Sequence, residues 1–295
     1  MNIDRRAFLA GGAATAGALA LNAAQLAPVL RRFHICAFEK PLQHLGYDEL
    51  ADFIARLGFD GIEATVRRGG HVLPEHVEED LPRLVEALKK RRLEITIMTT
   101  DVERVSPLNE KVLRTGAKLG IKRYRLGAWK YDLKKPVLEQ LDALRPQVKE
   151  LAVLNRQVGI TGLYQNHAGA NRVGAGIWDL HHLLKDIDAR ELGVAFDIRH
   201  ATVDGGSAWP VHFSLLRSRV GIVYAKDFEW RGRTASNVPL GRGNVDPAFF
   251  RQLPDSGYVG PISLHVEYPV DKPKLAEAFQ RDLATLRGWL EGKAA

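Results

Sequence analysis

The sequence predicts one closed (β/α)8 barrel behind a short N-terminal segment. Three observations lead there. Apolar runs of strand length alternate with runs of helical spacing, which implies parallel strands joined by helices. Eight such units follow one another at about 30 residues each, and eight units close a barrel. No Gly-x-Gly-x-x-Gly follows the first strand, which argues against an open dinucleotide-binding sheet. A length of 295 residues suits a single domain of this kind.

The elements follow in order. Phe33 to Phe38 reads as the first strand. Leu50, Phe53, Ile54 and Leu57 have helical spacing, and Gly58 stops that helix. Gly61 to Val66 is the second strand, and Leu81, Leu84, Val85 and Leu88 mark the second helix. Leu93 to Thr99 is strand three, 107–119 a helix, and Lys122 to Leu126 strand four. A long helix covers about 136–158. Ile160 to Asn166 is strand five, 178–185 a helix, and Val194 to Asp197 strand six. A helical segment follows near 210–218. Val220 to Lys226 is strand seven, 247–253 a short helix, and Ile262 to Glu267 strand eight. Leu275, Phe279, Leu283 and Leu286 carry the last helix. The segments 66–74 and 228–246 read as long polar loops, which on a barrel tend to carry function.

Composition bounds the partners. The chain is 45% hydrophobic and 26% charged, with a net charge of +7. That supports a large core. The basic residues are scattered among acids, and clusters such as Lys89-Lys90-Arg91-Arg92 end helices, where cations suit the dipole. No basic run is interleaved with aromatics, so nucleic acid is not an expected partner. An anionic small molecule remains compatible with the charge. Cys36 is the single cysteine, which excludes an internal disulfide and reads as a core residue.

Residues 1–28 differ from the barrel domain assigned to 29–295. Asp4-Arg5-Arg6-Ala7-Phe8-Leu9 places two arginines before an Ala/Gly-rich apolar run. That run contains Gly11, Gly12 and Gly17 and is too weakly hydrophobic for a membrane span. The segment resembles a twin-arginine export signal. The expectation is a folded protein exported to the periplasm, with no membrane span in its mature form.

A barrel of this type carries its site at the C-terminal ends of its strands. The polar residues predicted there are Glu39, Lys40, Glu63, Arg67, His71, Asp101, Arg125, Gln165, His167, Asp197, His200, Lys226, Asp227, His265 and Glu267. Glu63, Arg67, His71, Asp101, Arg125 and Lys226 are candidates for holding substrate. Gln165, Asp197 and His265 end strands five, six and eight at comparable heights. Together they are candidate ligands for a divalent ion held by oxygen and nitrogen. Candidate proton carriers are His265, Glu267, His200 and His167, since imidazole titrates near neutrality. Asp227 is also a candidate cap for the loop that follows it. Trp129, Trp209, Phe228 and Trp230 are candidates for stacking on a sugar ring or for packing.

Several runs carry a family resemblance. They are Leu57-Gly58-Phe59-Asp60-Gly61-Ile62-Glu63, Tyr164-Gln165-Asn166-His167, Phe196-Asp197-Ile198-Arg199-His200, Tyr224-Ala225-Lys226-Asp227, Leu240 to Asp246 and Gly257 to Leu264. On these the chain resembles the xylose isomerase-like TIM barrel superfamily of sugar phosphate isomerases and epimerases. The resemblance implies a divalent ion such as Mn²⁺, Mg²⁺ or Zn²⁺, held by Glu, Asp, His and Glu from strands five to eight, with the two glutamates as the acid/base pair. Carried onto this chain, those positions fall on Gln165, Asp197, Tyr224 and His265, so only the aspartate is kept. An amide cannot act as a general base, and a Gln/Asp/His set carries less negative charge for a hard cation.

Two classes of function follow. The first is an isomerase- or epimerase-like enzyme that uses a metal to assist proton abstraction next to a carbohydrate carbonyl, or a keto-glycoside lyase or hydratase that begins with the same step. The second is a non-catalytic exported sugar-binding protein. An apurinic endonuclease of the same fold would need three zinc ions and more ligands than the chain offers. The sequence leaves the oligomeric state open.

Overall fold

A computed structural model of the protein describes residues 33–293. The predicted export signal lies outside the described residues. Eight parallel strands close into a barrel. They are β1 (Ile35–Phe38), β2 (Gly61–Val66), β3 (Glu94–Thr100), β4 (Arg123–Arg125), β5 (Thr161–Gln165), β6 (Leu192–Asp197), β7 (Val220–Ala225) and β10 (Ile262–Leu264). Each strand pairs with its sequence neighbour, and β1 pairs with β10 to close the ring. In the registers nearest the mouth, Thr99 pairs with Arg125, Gln165 with Ala195, and Asp197 with Tyr224.

Outside the barrel lie α1 (Tyr47–Leu57), α2 (Val77–Lys89), α3 (Pro107–Lys118), α4 (Val137–Val158) and α5 (Trp178–Leu184). They continue with α6 (Ile198–Gly205), α7 (Trp209–Leu216), α8 (Ala248–Gln252) and α9 (Leu275–Leu290). Local chemistry sets their ends. Gly58 and Gly159 close α1 and α4 at φ 76° and 77°, a left-handed conformation that glycine adopts without a Cβ penalty. Ser106 caps α3 by accepting the Asn109 N–H at 3.2 Å, with Pro107 in the first turn. The main core packs the helices onto the barrel wall. A smaller cluster of Cys36, Ile97, Leu163, Ala195, Ile222 and Tyr224 fills the barrel interior.

Two elements differ from the sequence reading. The polar stretch after strand seven is not simply a loop. It contains an antiparallel hairpin, β8 (Asp227–Arg231) with β9 (Thr234–Val238). In addition, α6 starts directly at the end of β6, with Asp197 as its N-cap.

The hairpin is fixed by Asp227, 1% exposed. Its Oδ1 accepts the N–H groups of Phe228 and Val245 at 2.8 and 2.9 Å, and its Oδ2 those of Gly241 and Gly243 at 3.0 Å each. Asp227→Ala should therefore orphan several buried donors and lower stability by about 1–3 kcal/mol or more. Urea unfolding measures this, and a loss no larger than that of an exposed substitution would contradict it.

Candidate active site

The mouth is built by strand ends whose alternate residues face inward. Tyr224 lies in the interior cluster, so Lys226, two residues on, stands one step higher on the same face. Asp197, at the end of β6, is wholly buried. Its Oδ2 accepts Gln165 Nε2–H at 2.6 Å and faces Lys226 Nζ at 3.0 Å. Its Oδ1 accepts the backbone N–H of His200 at 3.0 Å. Asn166 exchanges two hydrogen bonds with the Asp197 backbone, at 2.7 and 3.0 Å, locking the strand end. Burial raises the Asp197 pKa, but His200, Lys226 and His265 outweigh it and hold the carboxyl well below the usual range.

A second acid lies across the mouth. Glu267 Oε2 faces Lys226 Nζ at 3.4 Å and His265 Nδ1 at 3.3 Å, and Oε1 faces Lys40 Nζ at 3.0 Å. Burial is outweighed by these donors, so Glu267 is held far below the ordinary carboxylate range. A carboxylate so stabilised is a weak base.

His265 bridges two acids. Its Nε2 meets Glu63 Oε2 at 2.9 Å while Nδ1 meets Glu267. Burial lowers its pKa, but Glu63 and Glu267 raise it above the ordinary value. With an acceptor on each side, both nitrogens act as donors and neither lone pair is free. Glu63 is wholly buried and also accepts from Ser263 Oγ at 2.7 Å and from Thr99 Oγ1. Burial there is outweighed by His265, Arg125 and Thr99, and the Glu63 pKa falls to about 2. Glu63 therefore supports His265 from below.

The other two histidines stack, with ring centroids 4.2 Å apart. His200 Nδ1 lies 3.1 Å from Arg199 Nη1. Guanidinium only donates, so Nδ1 accepts and the neutral ring carries its proton on Nε2, 3.5 Å from Asp197 Oδ2. Burial pushes the His200 pKa well below 6.5. His167 has the opposite tautomer. Its Nδ1 donates to the Ala168 carbonyl at 3.0 Å, which leaves the Nε2 lone pair free. Burial lowers its pKa too, so the ring is neutral near pH 7.

Arg125 donates to Gln165 Oε1 at 2.7 Å. Arg67 continues the inward parity of Glu63, and no hydrogen bond or ion pair engages its guanidinium among the described residues. Burial and then Arg125 lower its pKa. Asp101 accepts the Arg68 N–H at 3.0 Å at the outer rim.

His71 is not free to meet a ligand. Its Nδ1 pairs with Glu39 Oε2 at 2.8 Å and its Nε2 with the Leu45 carbonyl at 3.0 Å. Burial opposes the charge, but Glu39 wins and raises the pKa above 6.5. A raised folded pKa gives stability that is full below the unfolded value and lost as pH rises through the folded one. The stability advantage of the wild type over His71→Phe should thus shrink between about pH 6 and about pH 8. Urea titrations at both pH values test this, and a pH-independent difference would contradict it.

Of the aromatic candidates, Trp129, Trp209 and Phe228 are packed, Trp129 against Tyr164 at 4.7 Å. Trp230 is exposed on the hairpin. The hairpin borders the mouth through Arg199 Nη2–Ala235 O at 2.8 Å and Asn237 Nδ2–Glu267 O at 3.3 Å. A cleft of about 800 Å³ lies between the hairpin and α9, lined by Tyr268, Lys274 and Arg281. Its lining holds no histidine, and its Lys274–Asp271 pair at 3.7 Å is exposed, so the buried acid–base cluster belongs to the mouth.

The predicted metal ligands do not fit a metal as they stand. Both Asp197 oxygens already accept donors, Gln165 Oε1 is held by Arg125, and both His265 nitrogens face carboxylates. Among the described residues no group of three or more His, Cys, Asp or Glu is placed to hold an ion. An ion held by Gln165, Asp197 and His265 would have to displace these contacts. Sequence spacing gave the strand ends but not which lone pairs were already used.

Comparison with known proteins agrees with this architecture. Residues 51–289 match the family of xylose isomerase-like TIM barrels, and the chain belongs to that family. A 105-residue stretch is 30% identical to the uncharacterized protein MJ1311 of Methanocaldococcus jannaschii, covering 35% of this chain and 36% of that protein. The fold is similar to 3-keto-D-glucoside 4-epimerase YcjR from E. coli, with a TM-score of 0.68 and 16% identity over 87% of this chain and 99% of that one. It is also similar to a xylose isomerase-like TIM barrel protein from Mycobacterium smegmatis in complex with magnesium. That match has a TM-score of 0.62 and 15% identity, over 88% and 99% of the two chains. At these identities the likeness to the two solved structures is one of fold. No helix among the described residues is long and apolar enough to cross a membrane.

Proposed function

We propose that this chain moves a proton next to the carbonyl of a carbohydrate, as an isomerase or epimerase. The observation that carries the reading is the free Nε2 of His167, whose ring stacks on His200, itself 3.5 Å from the Asp197 carboxylate. A neutral imidazole with its other nitrogen fixed is suited to general-base work near pH 7. His167 Nε2 takes the proton α to the carbonyl. The C–H electron pair forms a carbon–carbon double bond and the carbonyl π pair moves onto its oxygen, giving an enediolate. The cations at the mouth stabilise the developing oxyanion. His167 then returns its proton to the neighbouring carbon, while the α-hydroxyl proton passes to the former carbonyl oxygen and the α-carbon becomes the new carbonyl, which completes an isomerisation. Departure of a β-substituent from the same enediolate would make the chain a lyase.

Arg67, with its unengaged guanidinium, suits an acidic group on the substrate. The sugar epimerase among the similar folds supports a carbohydrate substrate. We also place this work outside the cytoplasm, on the strength of the Arg5-Arg6 segment.

Incubation with a panel of aldoses, ketoses and 3-keto-glycosides, followed by product analysis, tests the reading. Interconversion or elimination of one class is expected. Calorimetric sugar binding without any turnover would instead make the chain a binding protein.

A further inference from the structure

We infer that the ammonium of Lys226 takes the place of a divalent ion in this site, so that the chain polarises its substrate oxygen without bound metal. The inference rests on the proton-transfer reading for the substrate, but its geometry stands independently. Lys226 Nζ lies between the two mouth carboxylates, 3.0 Å from Asp197 Oδ2 and 3.4 Å from Glu267 Oε2. Its side chain is 8% exposed and theirs are 0% and 17%, so the three groups form a largely desolvated cluster. Buried carboxylates require a compensating cation, and here a residue of the chain supplies it.

The surroundings are adapted to that cation. Gln165 turns its amide N–H to the same Asp197 oxygen that faces Lys226, with its carbonyl held away by Arg125 at 2.7 Å. A glutamate at 165 would add a negative charge beside Asp197, which suits a divalent ion, whereas an amide leaves a charge that one lysine balances. His265, itself between Glu63 and Glu267, uses its nitrogens within the protein. An ammonium has three N–H bonds. Two face Asp197 and Glu267, and the third is available to a carbonyl or enediolate oxygen at the mouth. Lys226 paired to two carboxylates acts as a fixed positive charge and hydrogen-bond donor, and no bond to substrate is formed or broken at its nitrogen.

Mn²⁺ alone is the probe, titrated into the full chain and followed by the electron paramagnetic resonance of the free ion. The wild type is expected to show no site tighter than about 1 mM. Lys226→Met, which keeps the volume of the stem, and Lys226→Ala remove the resident charge. Each is expected to gain one Mn²⁺ site about 10- to 100-fold tighter than any wild-type site. Adding Asp197→Asn to either variant should abolish that site. Stoichiometric, tight Mn²⁺ binding by the wild type that is lost in Asp197→Asn would overturn the inference. So would folded Lys226 variants, verified by circular dichroism, that bind Mn²⁺ no better than the wild type. The wild-type arm decides the matter even if both variants fail to fold. No substrate is present, so failure here leaves the proton-transfer reading to its own test, and failure of that reading leaves this result intact.

Discussion

His167→Phe is expected to lower the turnover number by about 100- to 10,000-fold, the range contributed by a positioned general base. Phenylalanine retains a ring to stack on His200 and removes the Nε2 lone pair, so the loss reports on chemistry more than on packing. The KM should change little, because the imidazole acts on a C–H bond and contributes little ground-state binding. His200→Phe is a useful contrast. His200 already carries its proton on Nε2 and accepts from Arg199 on Nδ1, so it has no lone pair to offer. Steady-state kinetics on the preferred substrate distinguishes the two, and an unchanged turnover number in His167→Phe would remove His167 from the mechanism.

Asp197→Ala should cost about 3–5 kcal/mol of stability, since it leaves a buried cation without its partner. Lys226 Nζ loses its 3.0 Å contact and Gln165 Nε2 its 2.6 Å acceptor, and α6 loses its N-cap. Asp197→Asn retains hydrogen-bonding capacity and should fall between wild type and alanine. Adding Lys226→Met to Asp197→Ala should recover part of the loss, because the pair is removed together. Urea unfolding of the four proteins measures the coupling, and strictly additive losses would show that Lys226 and Asp197 do not act as a pair.

Much of the fold was legible because its signals are local. Strand and helix periods along the chain place all eight barrel strands, and Gly58 ends α1 where expected. The hairpin was hidden because its second strand, Thr234 to Val238, lacks apolar alternation, although Phe228 and Trp230 alternate with charged residues in the first. Its stability comes from Asp227, for which the sequence offers both a capping and a site reading, and from Arg199, which the sequence does not single out. Asp197 followed by Ile198 to Gly205 carried an available helix signal, an N-cap aspartate ahead of a run ending in two glycines.

The site was legible as a set of strand ends, and less so as a set of partnerships. Lys226 could have been placed by parity, since it shares a face with Tyr224, the position onto which the family histidine falls. The contact of His265 with Glu63 spans 202 residues and depends on barrel closure between β1 and β10. Such pairings decide which nitrogen keeps a free lone pair, and no spacing rule along the chain expresses them. His167 emerges from its companions only through the Ala168 carbonyl that fixes its tautomer.

Abstraction of a carbon-bound proton at the barrel mouth is the step from which the whole reaction follows. Proton NMR of candidate keto-sugars incubated with the protein in D₂O tests it most directly. Loss of the resonance from the proton α to the carbonyl, at a rate that scales with wild-type protein and collapses in His167→Phe, is the predicted result. Sugar that binds the mouth and keeps that proton through many residence times would contradict it.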